Sequence, residues 1–587
     1  MKYERLEYPR PQFARKDWVN LNGEWTCHIS RKPKCFRDVG SDDEKIHAKG
    51  FETKINVPFS PETVASGVHA NEIIDTIWYQ RFIQIPAAWD GKCILLHFGA
   101  VFYHSEVYVD GTMAGFHDGG SSSFSVDLTG LVRPGARHSL IVKATANLQD
   151  GSIPSGKQSS YIASYACFYQ RTTGIWQTIW MEAVDKHALR SVNTYWNEAE
   201  SNVYFIPSFR SIAQNMRIHI KIGNKKTIMT AISGIPIVIH IENPVLWEPG
   251  NAHLYDITYS VYLDGTCVDE VSSYIGLRTI QIIGNNTYIN GKKLYYRFVL
   301  DQGFYPEGNW TAPSDEALEK DIKLALSAGF NGARLHQKVF EERYLHYADR
   351  LGFLVWEETP SWGLDYNNEG LPARNFLHEL TEIVNRDKNH PSIIGWSPLN
   401  ETWCFNNPKA HRRLHKEAYE TIKELDPTRP VNDASGYIHY LTDLWTVHTY
   451  VQDQNALHAQ LSAKNGNVFR NFPDYEPLYS GQPYIVDEYG GVKWDPETQA
   501  IENLAEAQNL QSWGYGKAPS TGSEFLDRIS RLTQVILSLS HISGYCYTQL
   551  TDVEQEKNGL YFYSRESKFS PQFYYAIFSQ KPKGYEL

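Results

Sequence analysis

SDEALEKDIKLALSAGFNGARLHQKVFEERYLHYADRLGFLVWEE (314–358) repeats one pattern twice: a polar segment with apolar residues at helical spacing, then a short apolar run. Ser314 stands at an N-cap position. The spacing predicts a helix over 314–329, a strand at FNGARL (330–335), a helix over 341–352 and a strand at FLVWEE (353–358). The alternation continues with helices over 375–388 and 408–425. Further strands are predicted at IIGWSPL (393–399), PVNDAS (430–435), LWTVHTY (444–450), YIVDEY (484–489) and GYCYTQL (544–550). With YYRFVL (295–300) in front, eight strands alternate with helices over about 300 residues, the signature of a (β/α)8 TIM barrel. Residues 490–522, rich in Gly, Trp and Pro, form the longest irregular stretch, and a loop of that length in a compact domain serves function or moves.

Toward the N-terminus the texture is short alternating runs broken by turn residues. WYQRFIQI (78–85), CILLHFGA (93–100), SEVYVDG (105–111) and SLIVKA (139–144) read as strands of one β-sandwich. RIHIKI (217–222), IPIVIHI (235–241) and LYDITYSVYLDG (254–265) read as strands of a second, immunoglobulin-like one. The expected domains are 1–185 as a jelly-roll sandwich, 186–282 as an immunoglobulin-like sandwich and 283–587 as the barrel. The fold class is therefore multidomain, all-β and α/β.

Composition excludes several functions. The 587 residues carry 56 Lys+Arg against 67 Asp+Glu, a formal charge of −11 without a basic block, so nucleic acid is not an expected partner. No apolar run is long enough to predict a membrane span. The first residues lack the apolar core of a signal peptide, which makes the cytoplasm the default location. Seven cysteines, an odd number without paired short spacing, suit a reducing compartment better than a disulfide or zinc framework. Aromatic residues are abundant (16 Trp, 37 Tyr, 26 Phe), but β-rich cores consume them as readily as sugar-binding sites do.

Barrel enzymes place their chemistry at the C-terminal ends of the strands. Those ends carry Arg334 and His336, Glu357 and Glu358, Asn400 and Glu401, His448 and Tyr450, Asp487 and Glu488, and Tyr547 to Gln549. Two glutamates facing one mouth are what glycoside cleavage by double displacement needs, with carboxyl groups about 5–5.5 Å apart. A single strand-end glutamate is more often a solvated or ion-paired residue.

The motifs in order resemble glycoside hydrolase family 2, which contains β-galactosidases, β-glucuronidases and β-mannosidases. NLNGEW (20–25), VPFSPE (57–62), WYQRFI (78–83), HFGAVFYHSEVYVDG (97–111) and TTGIWQTIWME (172–182) resemble its sugar-binding jelly roll. LWEPGNAHLY (246–255) and GLRTI (276–280) resemble its linking domain, and NHPSIIGWSPLNE (389–401) and PYIVDEYGG (483–491) its acid/base and nucleophile segments. The resemblance implies Glu401 as general acid/base, Glu488 as nucleophile, Asn400 on the sugar 2-hydroxyl, and Arg334 and Tyr450 beside the nucleophile. Alternatively Arg334 pairs structurally with Glu357, Tyr450 only packs, and His448 is a scaffold histidine. His336, His448 and Trp362 are the remaining candidates around the sugar, and Trp356, Trp396, Trp403 and Trp513 are further aromatic candidates. Cys404 reads as wall packing.

Departures from the family pattern bear on the sugar. Phe168 stands where many members have a sugar-binding carboxylate, and Asp301-Gln302 and His336-Gln337 replace family pairs. Asp301 is expected to supply the lost hydroxyl acceptor. The uronide-reading Asn-x-Lys motif is missing from TDVEQEKNGLYFYSRESK (551–568), although Lys557 and Arg565 lie there. A carboxylate buried without a cation is costly. The expected enzyme is therefore an exo-acting, retaining glycosidase for a neutral, β-galactoside-type sugar on an oligosaccharide or glycoside. The alternatives are an α-L-arabinofuranosidase or β-galactofuranosidase, then a β-glucuronidase or β-galacturonidase, and, in another class, a non-catalytic carbohydrate-binding scaffold. No cofactor or metal is expected, and similar enzymes are often homo-oligomers.

Overall fold

The computed structural model describes residues 3–30, 51–223, 225–403, 406–464, 466–496, 512–582 and 585. Cys404 and the centre of the 490–522 stretch lie outside the described residues.

The first sandwich packs a four-stranded sheet (Trp18–Asn20, Ile179–Val184, Cys93–Phe98, Phe124–Asp127) on a six-stranded one (Thr53–Val57, Gly23–Ser30, Thr76–Gln84, Arg137–Thr145, His104–Val109, Thr112–Asp118). Strand alternation builds its core: in His104–Val109 every second residue is buried, and Val107 and Val109 join Trp25, Tyr79, Phe98 and Val142 between the sheets. The second sandwich pairs Leu189–Asn197, Asn202–Phe209 and Ile237–His240 with a sheet of Lys225–Thr230, Met216–Ile222, Tyr255–Leu263 and Thr266–Ile275. Its core holds Phe205, Ile218, Ile220, Tyr259 and Val271.

The third unit is an all-parallel seven-stranded sheet in the order Ile393–Ser397, Leu354–Glu358, Gly332–Leu335, Tyr296–Asp301, Ile542–Thr548, Tyr484–Gly490, Trp445–Thr449. Helix Asp315–Ser327 begins where Ser314 accepts from the Ala317 amide, and helix Glu342–Leu351 ends at Gly352 with φ of 67°. The predicted strand at 430–435 is the exception. It lies beside Ile393–Ser397 through two isolated parallel bridges, Trp396 to Val431 and Asn400 to Ser435, rather than as a regular strand. Its amides are diverted: Val431 donates to Asp443 Oδ2 (2.9 Å) and Ala434 to Asp433 Oδ1 (3.0 Å).

Parity along the strands divides the barrel into two environments. Phe298, Leu300, Leu354, Trp356, Ile394, Ile485 and Cys546 fill the interior. Val299, Leu335, Val355, Trp396 and Tyr489 face the helices. Among the described residues, no helix is long and apolar enough to cross a membrane.

Candidate active site

In step with the interior residues, Gly332–Leu335 sends the Arg334 side chain inward, where it is completely buried. Its Nη2 bonds Glu488 and lies 3.0 Å from His336 Nδ1, its Nη1 bonds Ser435 and Asp487 Oδ2 (3.2 Å), and its Nε lies 3.5 Å from Glu358 Oε2. The carboxyl group facing Arg334 from the neighbouring strand is therefore Glu358; Glu357 points to the helices, against Asp387 and Arg386.

The strand Tyr484–Gly490 changes register between Val486 and Tyr489. That irregularity lets two consecutive carboxylates, Asp487 and Glu488, face the interior, which strict alternation forbids. Burial opposes ionisation of Glu488, but His448, Arg334, Lys157 and the Tyr450 hydroxyl together hold its carboxyl below the usual range. His448 is pulled down by burial and pushed up by Glu488 and Asp487, to about 10, so it is an imidazolium at neutral pH. Its Nδ1 lies 2.7 Å from Glu401 Oε1 and 3.5 Å from Glu488 Oε2, and its Nε2 3.3 Å from Asp487 Oδ1. Glu358 is pushed up to about 8 by burial, and His336 well below its usual value by burial and by Lys157, Arg334 and His448. At neutral pH this His336–Glu358 pair is therefore largely uncharged.

Glu401 sits at φ of 45°, its amide bonded to the Ser435 carbonyl (3.0 Å), and its side chain is only 15% exposed. Donor atoms of Glu401, His448 and Glu488 all lie within 4.8 Å of one another. The trio is close enough to chelate a cation, and Glu488 already carries Arg334. Glu401 and Glu488 therefore bring carboxylate oxygens within 4.8 Å of each other at the mouth, with His448 between them. Beside it, Asn400 is completely buried with both side-chain polar atoms unpartnered, the state of a group awaiting a ligand.

Trp362 lines the mouth, its indole N–H on the Asn400 carbonyl (3.1 Å) and its ring 5.3 Å from Phe168. Tyr450 stacks on Tyr515 with ring centroids 3.4 Å apart. Trp356 fills the barrel interior and Trp396 the helix layer, so neither is a floor for sugar. Trp403 is half exposed against Tyr437. Trp513 packs on Tyr515.

Asp301 is not brought to these groups. Its neighbour Leu300 takes the interior direction, and Asp301 turns to the helix layer, accepting from the Gly303 amide (2.9 Å) near Asp321, Arg565 and Lys338. The expected hydroxyl acceptor is corrected accordingly: parity points it away from the mouth. Arg565 is committed to Asp321 and the Phe304 carbonyl. Sequence reasoning missed Lys157, which reaches the mouth from the first sandwich; nothing in the sequence around it signals this. It also missed the constellation of Tyr169, Glu556, Asn558, Gln549 and Gln302, which hydrogen-bond in a ring (2.6–2.9 Å where normal in length).

A parallel barrel with two close carboxylates at its mouth, flanked by sandwiches, defines an enzyme that cleaves O-glycosyl bonds. Residues 41–180 match the sugar binding domain and 280–493 the TIM barrel domain of the family 2 glycosyl hydrolases, and 192–278 match a further model of glycosyl hydrolases family 2. The chain belongs to glycoside hydrolase family 2, as an exo-acting glycosidase. It is 25% identical over 546 residues to a β-glucuronidase of Paenibacillus borealis (85% of this chain, 88% of the relative). It is 26% identical over 511 residues to a β-galactosidase of Thermoanaerobacter pseudethanolicus (83% of this chain, 63% of the relative). Among solved structures it resembles a β-D-glucuronidase of Dictyoglomus thermophilum with a TM-score of 0.75 and 21% identity, over 98% of this chain and 99% of that one, a likeness of fold.

Proposed function

We propose that the chain is a retaining exo-β-glycosidase in which Glu488 is the nucleophile and Glu401 the general acid/base. The observation that carries this is the asymmetry of the close pair: Glu488 is held ionised by Arg334 and Tyr450, while Glu401 lies at the opening with His448 as its one hydrogen-bond partner among the described side chains. In the first step Glu488 attacks the anomeric carbon as Glu401 protonates the departing oxygen. Glycosylation removes the charge on Glu488. Glu401 then loses a repelling neighbour and takes the proton of the water that attacks the glycosyl ester. Asn400, buried and unpartnered, is placed to bind the sugar 2-hydroxyl, a contact that tightens in the transition state.

The relatives are named β-glucuronidase and β-galactosidase, so a β-glycoside is the proposed substrate class, the neutral β-galactoside included. The test is chemical rescue. Glu401→Ala should cleave nitrophenyl glycosides slowly and recover with azide, releasing the β-glycosyl azide. An α-azide, or wild-type rates without azide, would refute the roles given to the two glutamates.

A further inference from the structure

The left-handed backbone of Glu401, at φ of 45°, is a conformation that a residue with a Cβ keeps only where its surroundings impose it. On one side the Glu401 amide is tied to the Ser435 carbonyl (3.0 Å). On the other stands Thr402, which is 1% exposed and whose hydroxyl is clamped between two histidines. Its Oγ1 lies 2.8 Å from His415 Nε2 and 2.9 Å from His411 Nε2, and the two ring nitrogens are 3.1 Å apart. Both histidines are completely buried and sit one turn apart on helix Pro408–Leu425, so their rings share one face and meet edge to face at 4.5 Å.

One order of protons satisfies the whole group. The Asp433 carboxylate only accepts, so His415 Nδ1, 3.0 Å from Asp433 Oδ2, carries the hydrogen, and Nε2 accepts from the Thr402 hydroxyl. Burial and the adjacent His415 push His411 down to about 2, so its ring is neutral. Its Nδ1 accepts from the Tyr440 hydroxyl (3.2 Å), and its Nε2–H donates to the Thr402 oxygen. The hydroxyl therefore donates and accepts at once and is fixed in orientation.

Asp433 anchors this group from behind. Burial opposes its ionisation, but His439 and His415 hold its carboxyl below the usual range. It also accepts from His439 Nδ1 (2.7 Å) and from the Ala434 and Tyr440 amides (3.0 and 2.7 Å). Two residues beyond Asp433 lies Ser435, the holder of the Glu401 amide. The chain is thus gripped on both sides of Glu401, and both grips lead back to one buried carboxylate. The carboxyl of Glu401 lies outside this network, on His448 (2.7 Å).

We propose that Thr402, clamped by His411 and His415 and through His415 by Asp433, is a positioning residue for the acid/base Glu401: its fixed hydroxyl holds the chain that keeps Glu401 left-handed and its carboxyl aimed at the leaving oxygen. The inference rests on the role given to Glu401 above and names the groups that sustain it.

The test uses the leaving group. A departing 2,4-dinitrophenolate needs no proton and a phenolate does, so a misplaced acid slows phenyl glycosides selectively. We would measure kcat/KM on phenyl and 2,4-dinitrophenyl β-D-galactosides, or on the β-D-glucuronides if the wild type cleaves those faster. The variants are Glu401→Ala, Thr402→Val and Thr402→Ser. Thr402→Val keeps the shape and drops the hydroxyl; it should lose about 100-fold on the phenyl glycoside and less than about fivefold on the dinitrophenyl one. Thr402→Ser, which keeps the hydroxyl, should restore the phenyl rate. The ratio of two substrates within one preparation does not depend on how much of it is folded. Should Thr402→Val yield no folded protein, His411→Gln, which removes one of the hydroxyl's two partners, is read by the same ratio. Equal loss on both glycosides, or no loss, overturns the positioning role. If Glu401→Ala shows the leaving-group bias and the Thr402 variant does not, only this inference falls. If Glu401→Ala shows no bias, the acid/base role of Glu401 falls, and this inference with it.

Discussion

Alternate residues of the strand Leu354–Glu358 enter different surroundings. Glu358 faces the mouth beside Arg334 and His336, and Glu357 faces the helices beside Asp387 and Arg386. The same division separates two larger buried charge clusters. Inside are Arg334, His448, Asp487, Glu488 and Glu401; outside are Asp301, Asp321, Arg565 and Lys338. Buried charge marks both, so burial and shifted pKa values do not tell a catalytic cluster from a structural one. Access does: the inner cluster opens to solvent at Glu401, with the unpartnered Asn400 amide beside it. Substitutions inside should therefore change the reaction, and isosteric substitutions outside only stability.

The largest effect is expected for Glu488→Gln. It keeps shape and removes the nucleophile, so kcat should fall at least about 10⁴-fold with Tm within a few degrees of the wild type. Residual activity of a tenth of wild type would break the division at its centre. Arg334→Met comes next, with a mixed phenotype. It leaves Glu488 and Asp487 with His448 as their remaining shared cation and breaks two buried ion pairs, costing about 3–5 kcal/mol of stability. Because the cation favours the ionised nucleophile, its removal raises the pKa of Glu488, and the acidic limb of the kcat/KM profile should move to higher pH. An unmoved limb in a folded variant would mean that Arg334 is structural only.

Asn400→Ala should lower kcat/KM about 100-fold, in line with a transition-state contact of a few kcal/mol to the 2-hydroxyl. The sharper measurement uses a 2-deoxy glycoside, on which variant and wild type should be nearly equal. A loss of the same size on both substrates would assign Asn400 to the scaffold.

The inner cluster was partly legible in the sequence, because family motifs contain Glu401 and Glu488 and because Arg334 stands at the end of the predicted strand FNGARL. Three features were not. A register irregularity, invisible in PYIVDEYGG, turns both Asp487 and Glu488 inward. The segment at 430–435 looks like any other barrel strand, but Asp443 and Asp433 capture its amides. Lys157 reaches the site across 244 residues of sequence, counted to Glu401, so no local pattern could connect them. Asp301 shows a different failure. The residue type and the strand end were read correctly, but the facing of a strand end depends on a parity that one position of offset inverts.

That parity yields the smallest expected effect. Asp301→Asn preserves the acceptor for the Gly303 amide and should leave kcat/KM within about twofold, because Asp301 faces away from the mouth. Its influence is on stability. Burial, with the nearby Asp321 charge, pushes the Asp301 carboxyl up to about 7, above the roughly 3.9 of an unfolded chain. Between those values the folded state binds more protons than the unfolded one, so this group makes stability fall as pH rises from about 4 to 7. Asparagine cannot titrate. The Tm of the variant relative to wild type should therefore become more favourable on going from pH 5 to pH 8, with activity unchanged at both. A drop in kcat/KM without that drift in Tm would return Asp301 to the sugar and erase the contrast between the two faces.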